Sequence, residues 1–208
     1  MNNLIQAIFS IDSPEKFNNV CLSIFKFQYS ENKVYRQYVE ELGVKVPQIT
    51  NFLQIPFLPI EFFKTHQIIS GNKTPETLFK SSGTTGVIQS THFVCDVSIY
   101  EKSFHQSFKE IYGDPENYTF LALLPSYSDR KESSLVYMVR NLMQKSKKAG
   151  NGFYLYNFPE LYQKIVELEK NKEETILFGV SFALIDFFEI FKPKLASTTV
   201  IETGGLKG

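Results

Sequence analysis

The segment Lys80-Ser81-Ser82-Gly83-Thr84-Thr85-Gly86 sets four hydroxyl side chains and two glycines where no hydrophobic period continues. Gly83 and Gly86 permit a left-handed backbone that turns successive N–H groups to one side, which is how a loop cradles an anion. Ser81, Ser82, Thr84 and Thr85 add hydroxyl donors without permanent charge. A Ser/Gly/Thr run between two strands also reads as a solvated turn, and the residues alone leave both readings open. Val87 and Ile88 follow Gly86, so the loop is neither a GxxxxGK[ST] phosphate loop nor a GxGxxG turn. Three other stretches, "LLPSYSD", "FGVSFA" and "ETGGLKG", each follow an apolar run and replace it with small or polar residues. Ser126 and Tyr127 lie in the first, Gly179 and Ser181 in the second, and Glu202, Thr203, Gly204 and Gly205 in the third.

Strands and helices in alternation must position these residues. "YTFLALL", "FYLYN", "TILFGV" and "TTVIET" read as strands. Between them, "SSLVYMVRNLMQKSKKAG", "PELYQKIVELEKN" and "SFALIDFFEIFK" read as helices. The first turns Leu135, Met138, Val139, Leu142 and Met143 inward; the last is apolar nearly all round and is expected to be buried. Alternation of this kind implies parallel βαβ units and an α/β fold with an open, mostly parallel sheet and helices on both faces. Ligands in such sheets collect beyond the carboxyl ends of the strands. Upstream, "ETLFK" and "STHFVC" read as strands flanking the hydroxyl-rich loop. Asp96 then caps a helix with the stripe Tyr100, Phe104, Phe108 and Ile111, closed by Gly113.

Residues 1–75 read as a helical and extended lead-in, and residues 76–208 as the α/β part. In the lead-in, Asp12 or Ser13 caps a helix that carries Pro14 in its first turn and Glu15 in a capping box. Its apolar face is Phe17, Val20, Cys21, Ile24 and Phe25. A second helix presents Val34, Tyr35, Tyr38, Val39 and Leu42 and ends at Gly43. Pro47, Pro56 and Pro59 then break regular structure, leaving an extended apolar strip. The abrupt stop after the Gly204-Gly205 pair suggests a chain that continues beyond Gly208.

Composition narrows the function. Of 208 residues, 22 are basic and 22 acidic, so no basic surplus points to nucleic acid or an anionic membrane. Lys145, Lys147 and Lys148 cluster at a helix end, where cations suit the dipole. Cys21 and Cys95 are far apart and have no metal-ligand spacing, so neither a disulfide framework nor a zinc site is expected. His66, His92 and His105 are scattered, with a surface or boundary position expected for His105 and a structural role for His92. No apolar stretch reaches transmembrane length and no basic leader opens the sequence, so a cytoplasmic protein without membrane insertion is expected.

"FKSSGTTG" resembles the phosphate-loop signature of adenylate-forming enzymes. Taken with "LLPSYSDRKESSLVYMV", "FGVSFALIDF" and "IETGGLKG" in this order, residues 75–208 resemble the acyl-protein synthetases, the long-chain-fatty-acid–protein ligases of bacterial bioluminescence and their relatives. The resemblance implies ATP-dependent activation of a carboxylic acid, such as a fatty acid, to an acyl-adenylate, then transfer to a protein thiol. ATP and Mg²⁺ are the implied cofactors, and an acyl-accepting protein the implied partner. Ser81, Ser82, Gly83, Thr84, Thr85 and Gly86 would hold the nucleotide phosphates. Glu202, Thr203, Gly204 and Gly205 would lie against adenine, and Ser126, Tyr127, Gly179 and Ser181 would line the acyl site. The chain departs from the wider pattern in having Val87-Ile88-Gln89 where Pro-Lys often follows the loop. The family's Mg²⁺-holding acid, its lysine-bearing small domain and its acyl-accepting cysteine have no counterparts here, so the resemblance assigns no metal ligand or catalytic residue in this chain and implies a partial site. Two alternatives stand beside it: a non-catalytic binding domain of an acyl-transfer complex, and a phenylacetate-type acyl-CoA ligase.

Overall fold

The computed structural model describes residues 2–81, 88–125, 130–155 and 157–204. Within them the fold is α/β, with two compact units, Met1–Tyr100 and Glu101–Gly208.

In the first unit, α1 (Asn2–Ile8) precedes α2 (Pro14–Glu31). The hydroxyl of Ser13 accepts the Lys16 N–H and Pro14 fills the first turn, so the start of α2 follows the capping chemistry. Helix α3 (Lys33–Glu41) begins after Asn32, a buried side chain that accepts the Tyr35 N–H at 3.1 Å. Phe25, Tyr35 and Val39 form a buried cluster in this unit. Burial pushes the Tyr35 phenol up to about 12, and its Oη donates to Pro56 O at 2.7 Å. The proline-punctuated strip is two 3₁₀ turns, Val46–Gln48 and Phe52–Gln54, followed by the short helix α4 (Phe62–Thr65). Asn18 pins the strip to α2, accepting the Phe52 N–H at 2.8 Å. Strands β1 (Thr77–Lys80) and β2 (Thr91–Val94) pair antiparallel, with Lys80 opposite Thr91. The hydroxyl-rich loop therefore joins the arms of a hairpin.

Helix α5 (Val97–Tyr112) spans the boundary between the units. The carboxylate of Asp96 accepts the Ser98 N–H at 3.2 Å and the Ser98 hydroxyl at 2.5 Å, as expected of a cap. Beyond it, β3 (Thr119–Leu123), β4 (Gly152–Phe153), β5 (Thr175–Gly179) and β6 (Thr198–Glu202) form one parallel sheet in the order β4-β3-β5-β6. Their connections are α6 (Ser134–Lys145), α7 (Phe158–Lys170) and α8 (Ser181–Phe191). Every residue of β3 and β5 is buried, as central parallel strands require. Leu121, Leu123 and Leu177 pack under Leu161 and Ile165 of α7 and Ala183, Leu184 and Phe187 of α8. On the opposite face Phe120 meets Phe108 of α5 at 5.6 Å and Phe178 at 6.4 Å between ring centres.

Three details differ from expectation. Of the expected inward stripe of α6, Val139 and Leu142 are buried and Leu135, Met138 and Met143 are half-buried, while the third buried residue is Val136, which the stripe left out. Ile111 is 73% exposed at the end of α5, beyond the reach of the Phe104/Phe108 core. Helix α8 is buried on one side only, with Phe182, Ile185 and Ile190 left in solvent.

Candidate functional site

The strand order creates a switch point in the second unit. From β3 the chain leaves through α6 toward β4; from β5 it leaves through α8 toward β6, on the other side. Neighbouring strands whose connections diverge open a crevice at their carboxyl ends. Leu124 and Pro125 follow β3 there, and Val180 and Ser181 follow β5.

Five of the expected site residues meet beside this crevice, at the carboxyl ends of β5 and β6. Thr203 donates to the Gly179 carbonyl twice, through its N–H at 2.8 Å and its hydroxyl at 3.2 Å. The Ser181 hydroxyl bonds to Glu202 Oε1 and to the Gly204 carbonyl. Ser181 is buried at the first position of α8, whereas Glu202 and Gly204 are exposed. Gly204 has φ +100°, a conformation that a side chain disfavours, and it turns the backbone out of β6. Gly179 is required by packing: a Cβ there would sit 2.6 Å from Leu184 Cγ. The residues expected for acyl binding (Gly179, Ser181) and for adenine binding (Glu202, Thr203, Gly204) thus form one hydrogen-bonded rim. Ser126, Tyr127 and Gly205 lie outside the described residues.

In the first unit, Ser81 closes the base of the hairpin loop. Its N–H donates to Ser90 O at 3.0 Å, and its Oγ accepts the Ser90 N–H at 3.0 Å. Gln89 Nε2 donates to Ser81 O, also at 3.0 Å. Ser81 thereby fixes where the loop departs and returns. Ser82, Gly83, Thr84, Thr85 and Gly86 lie outside the described residues.

Sequence reasoning missed two polar features that organise the second unit. The Glu169 carboxylate, at the end of α7, accepts the Ala196 N–H at 2.9 Å, the Ser197 N–H at 3.1 Å and the Thr198 hydroxyl at 2.6 Å. Desolvation pushes this carboxyl up, but the hydrogen bonds from Thr198, Ala196 and Ser197 outweigh it and hold the pKa below its ordinary value. Glu169 thereby sets the entry of β6, the strand that ends at Glu202. The second feature joins α5 to α6. Glu101 Oε1 accepts from Tyr137 Oη at 2.5 Å and from Asn141 Nδ2 at 3.2 Å. Asn141 Oδ1 lies 2.7 Å from His105 Nε2, and because the Asn141 amide faces Glu101, the proton of this pair is on His105 Nε2. A carboxylate four residues before a histidine on a helix was the available signal. In the first unit, desolvation lowers the His92 pKa, and its ring stands edge-on to Phe63 at 5.6 Å.

Among the described residues no three His, Cys, Asp or Glu side chains converge on a metal position, and Cys21 and Cys95 are free thiols. No helix among them is long and apolar enough to cross a membrane. No protein-family model, curated protein or solved structure matches the chain.

Proposed function

We propose that this chain provides part of the site of an ATP-dependent carboxylate-activating enzyme of the acyl-protein synthetase kind. A carboxylate oxygen attacks the α-phosphorus of ATP and the bond to pyrophosphate breaks; a thiol of an acyl-accepting protein then attacks the acyl carbon of the acyl-adenylate, forming a thioester and losing the thiol proton as the acyl–phosphate bond breaks and AMP leaves. A fatty acid is the proposed substrate. The observation that carries this reading is the rim at the carboxyl ends of β5 and β6, one strand from the β3/β5 switch point. There two separate sequence blocks, Gly179/Ser181 and Glu202/Thr203/Gly204, come together where α/β sheets bind ligands.

In this reading Gly179 lets α8 approach the strand closely, Ser181 and Thr203 hold the rim rigid, and Gly204 presents bare backbone to a flat ring. The stretch of residues 81–86 is the proposed phosphate-binding part, because its residue types supply hydroxyl and amide donors of the kind that stabilise charge developing on a leaving pyrophosphate. The described residues offer no cage of side chains that fits Mg²⁺. Mg²⁺ would enter with the ATP phosphates, and none of these roles depends on it.

Ligand-induced stabilisation tests the binding part. ATP at about a hundred times its Kd stabilises a fold by about 2.7 kcal/mol. Thermal unfolding of this chain is expected to shift upward with millimolar ATP and to stay unshifted in the Thr84→Val/Thr85→Val variant. No shift in either protein, or the same shift in both, would remove the loop from the reading.

A further inference from the structure

Asn151-Gly152 is the one Asn-Gly pair in the sequence, and the fold makes use of both residues. The half-buried Asn151 side chain ties β3 to the end of α6 and to the turn that follows it. Its Oδ1 accepts the Phe120 N–H at 2.7 Å, while its Nδ2 donates to Lys148 O at 2.9 Å and to Met143 O at 3.4 Å. Gly152 opens β4 and is required by packing, because a Cβ there would sit 2.7 Å from Tyr154 Cε2. The pair is also chemically labile. Glycine has no Cβ to shield its backbone nitrogen, so in an open chain the Gly152 nitrogen can reach Asn151 Cγ. The new N–C bond closes a cyclic imide, and the side-chain nitrogen leaves as ammonia with the proton of the Gly152 N–H. Water then adds to either imide carbonyl and breaks that carbonyl's bond to nitrogen, giving aspartate or isoaspartate.

The folded protein opposes that attack at each participating atom. Leu121 pairs with Gly152, and the Tyr154 N–H donates to Ala122 O at 2.7 Å. This register aims the Gly152 N–H at the Phe120 carbonyl, so the attacking nitrogen is engaged in the ladder. The leaving nitrogen is held by two carbonyls and the Asn151 carbonyl by the Phe120 amide. Strand β4 is only two residues long, so a local opening lifts the guard without unfolding the whole sheet. We propose that Asn151 is a deamidation site guarded by the β3–β4 pairing, and that its conversion stops the pairing from re-forming. A carboxylate has no N–H to give: one oxygen keeps the Phe120 amide, but the other faces the Met143 and Lys148 carbonyls, acceptor against acceptor. The isoaspartyl product also inserts a methylene into the backbone ahead of Gly152, which displaces the register with Leu121 and Ala122. A chain left open therefore loses its way back to the fold, a chemical form of irreversible unfolding. This inference uses none of the residues of the nucleotide reading and stands apart from it.

The test uses the full chain in mildly alkaline buffer, with and without denaturing urea, and follows the amide-to-acid change at Asn151 by peptide mapping with mass spectrometry. The folded chain is expected to react at least about tenfold more slowly than the unfolded one, which corresponds to an opening free energy of about 1.4 kcal/mol or more. Urea is then removed and the folded chains are collected by size-exclusion chromatography. Chains with Asn151 intact are expected in the folded peak, and converted chains are expected to be lost from it. Asn151→Asp carries the side chain of one product and is expected to lower the urea midpoint; the rate comparison on the wild type holds whether or not this variant folds. Equal rates with and without urea would remove the guard, and no reaction in urea would remove the site. Recovery of converted chains in the folded peak, with the wild-type urea midpoint, would remove the consequence. Any one of these three results would overturn the proposal.

Discussion

Gly179 and Ser181 show how closely packing and chemistry are joined at the rim. At Gly179 an added Cβ meets Leu184, which is itself buried against the sheet and cannot move freely. Gly179→Ala is therefore expected to destabilise the protein by about 1–3 kcal/mol, the usual cost of overpacking, measured by urea unfolding. Ser181→Ala leaves the volume nearly unchanged but removes the one hydroxyl shared by Glu202 and Gly204. A loss of about 1–3 kcal/mol is expected, because one of the acceptors is charged. Wild-type stability in either variant would mean that the rim is not a structural unit.

Elements depend on single side chains at their ends, and Glu169 is the clearest instance. Its folded pKa lies below the unfolded value, so its stabilisation is present above that unfolded value, about 4.3, and fades as pH falls through the folded one. Urea midpoints of the wild type and Glu169→Gln are expected to differ near pH 7 and to converge in acid; a constant difference from pH 7 to pH 3 would contradict the clamp. Such clamps were not legible in the sequence, because Glu169 and Thr198 are 29 residues apart and only the fold joins them. Legible were the features with local chemistry: Ser13 and Pro14 at the start of α2, Asp96 before α5, and the apolar runs of β3 and β5. Helix α1 has no acidic first turn to announce it. In α8, apolar residues all round signalled burial, yet composition cannot distinguish a helix covered on both sides from one covered on one. At the site, the strand-end blocks were legible as small and polar residues after apolar runs. That Gly179/Ser181 and Glu202/Thr203/Gly204 would bond to each other was not, since it depends on the β5–β6 register.

At the scale of the molecule, alternation of buried strands and amphipathic helices produced the parallel sheet, and its strand order produced the crevice. Equal numbers of basic and acidic residues give the chain no overall charge with which to attract a polyanion, so specificity rests on local geometry. Carboxylate adenylation is the proposed activity. Carboxylate-dependent exchange of labelled pyrophosphate into ATP tests it most directly, in the full gene product and its Thr84→Val/Thr85→Val variant, across short and long carboxylic acids. Exchange with a fatty acid is expected in the wild type, with its loss in the variant. Absence of exchange with every acid, or exchange unaffected by the variant, would contradict it.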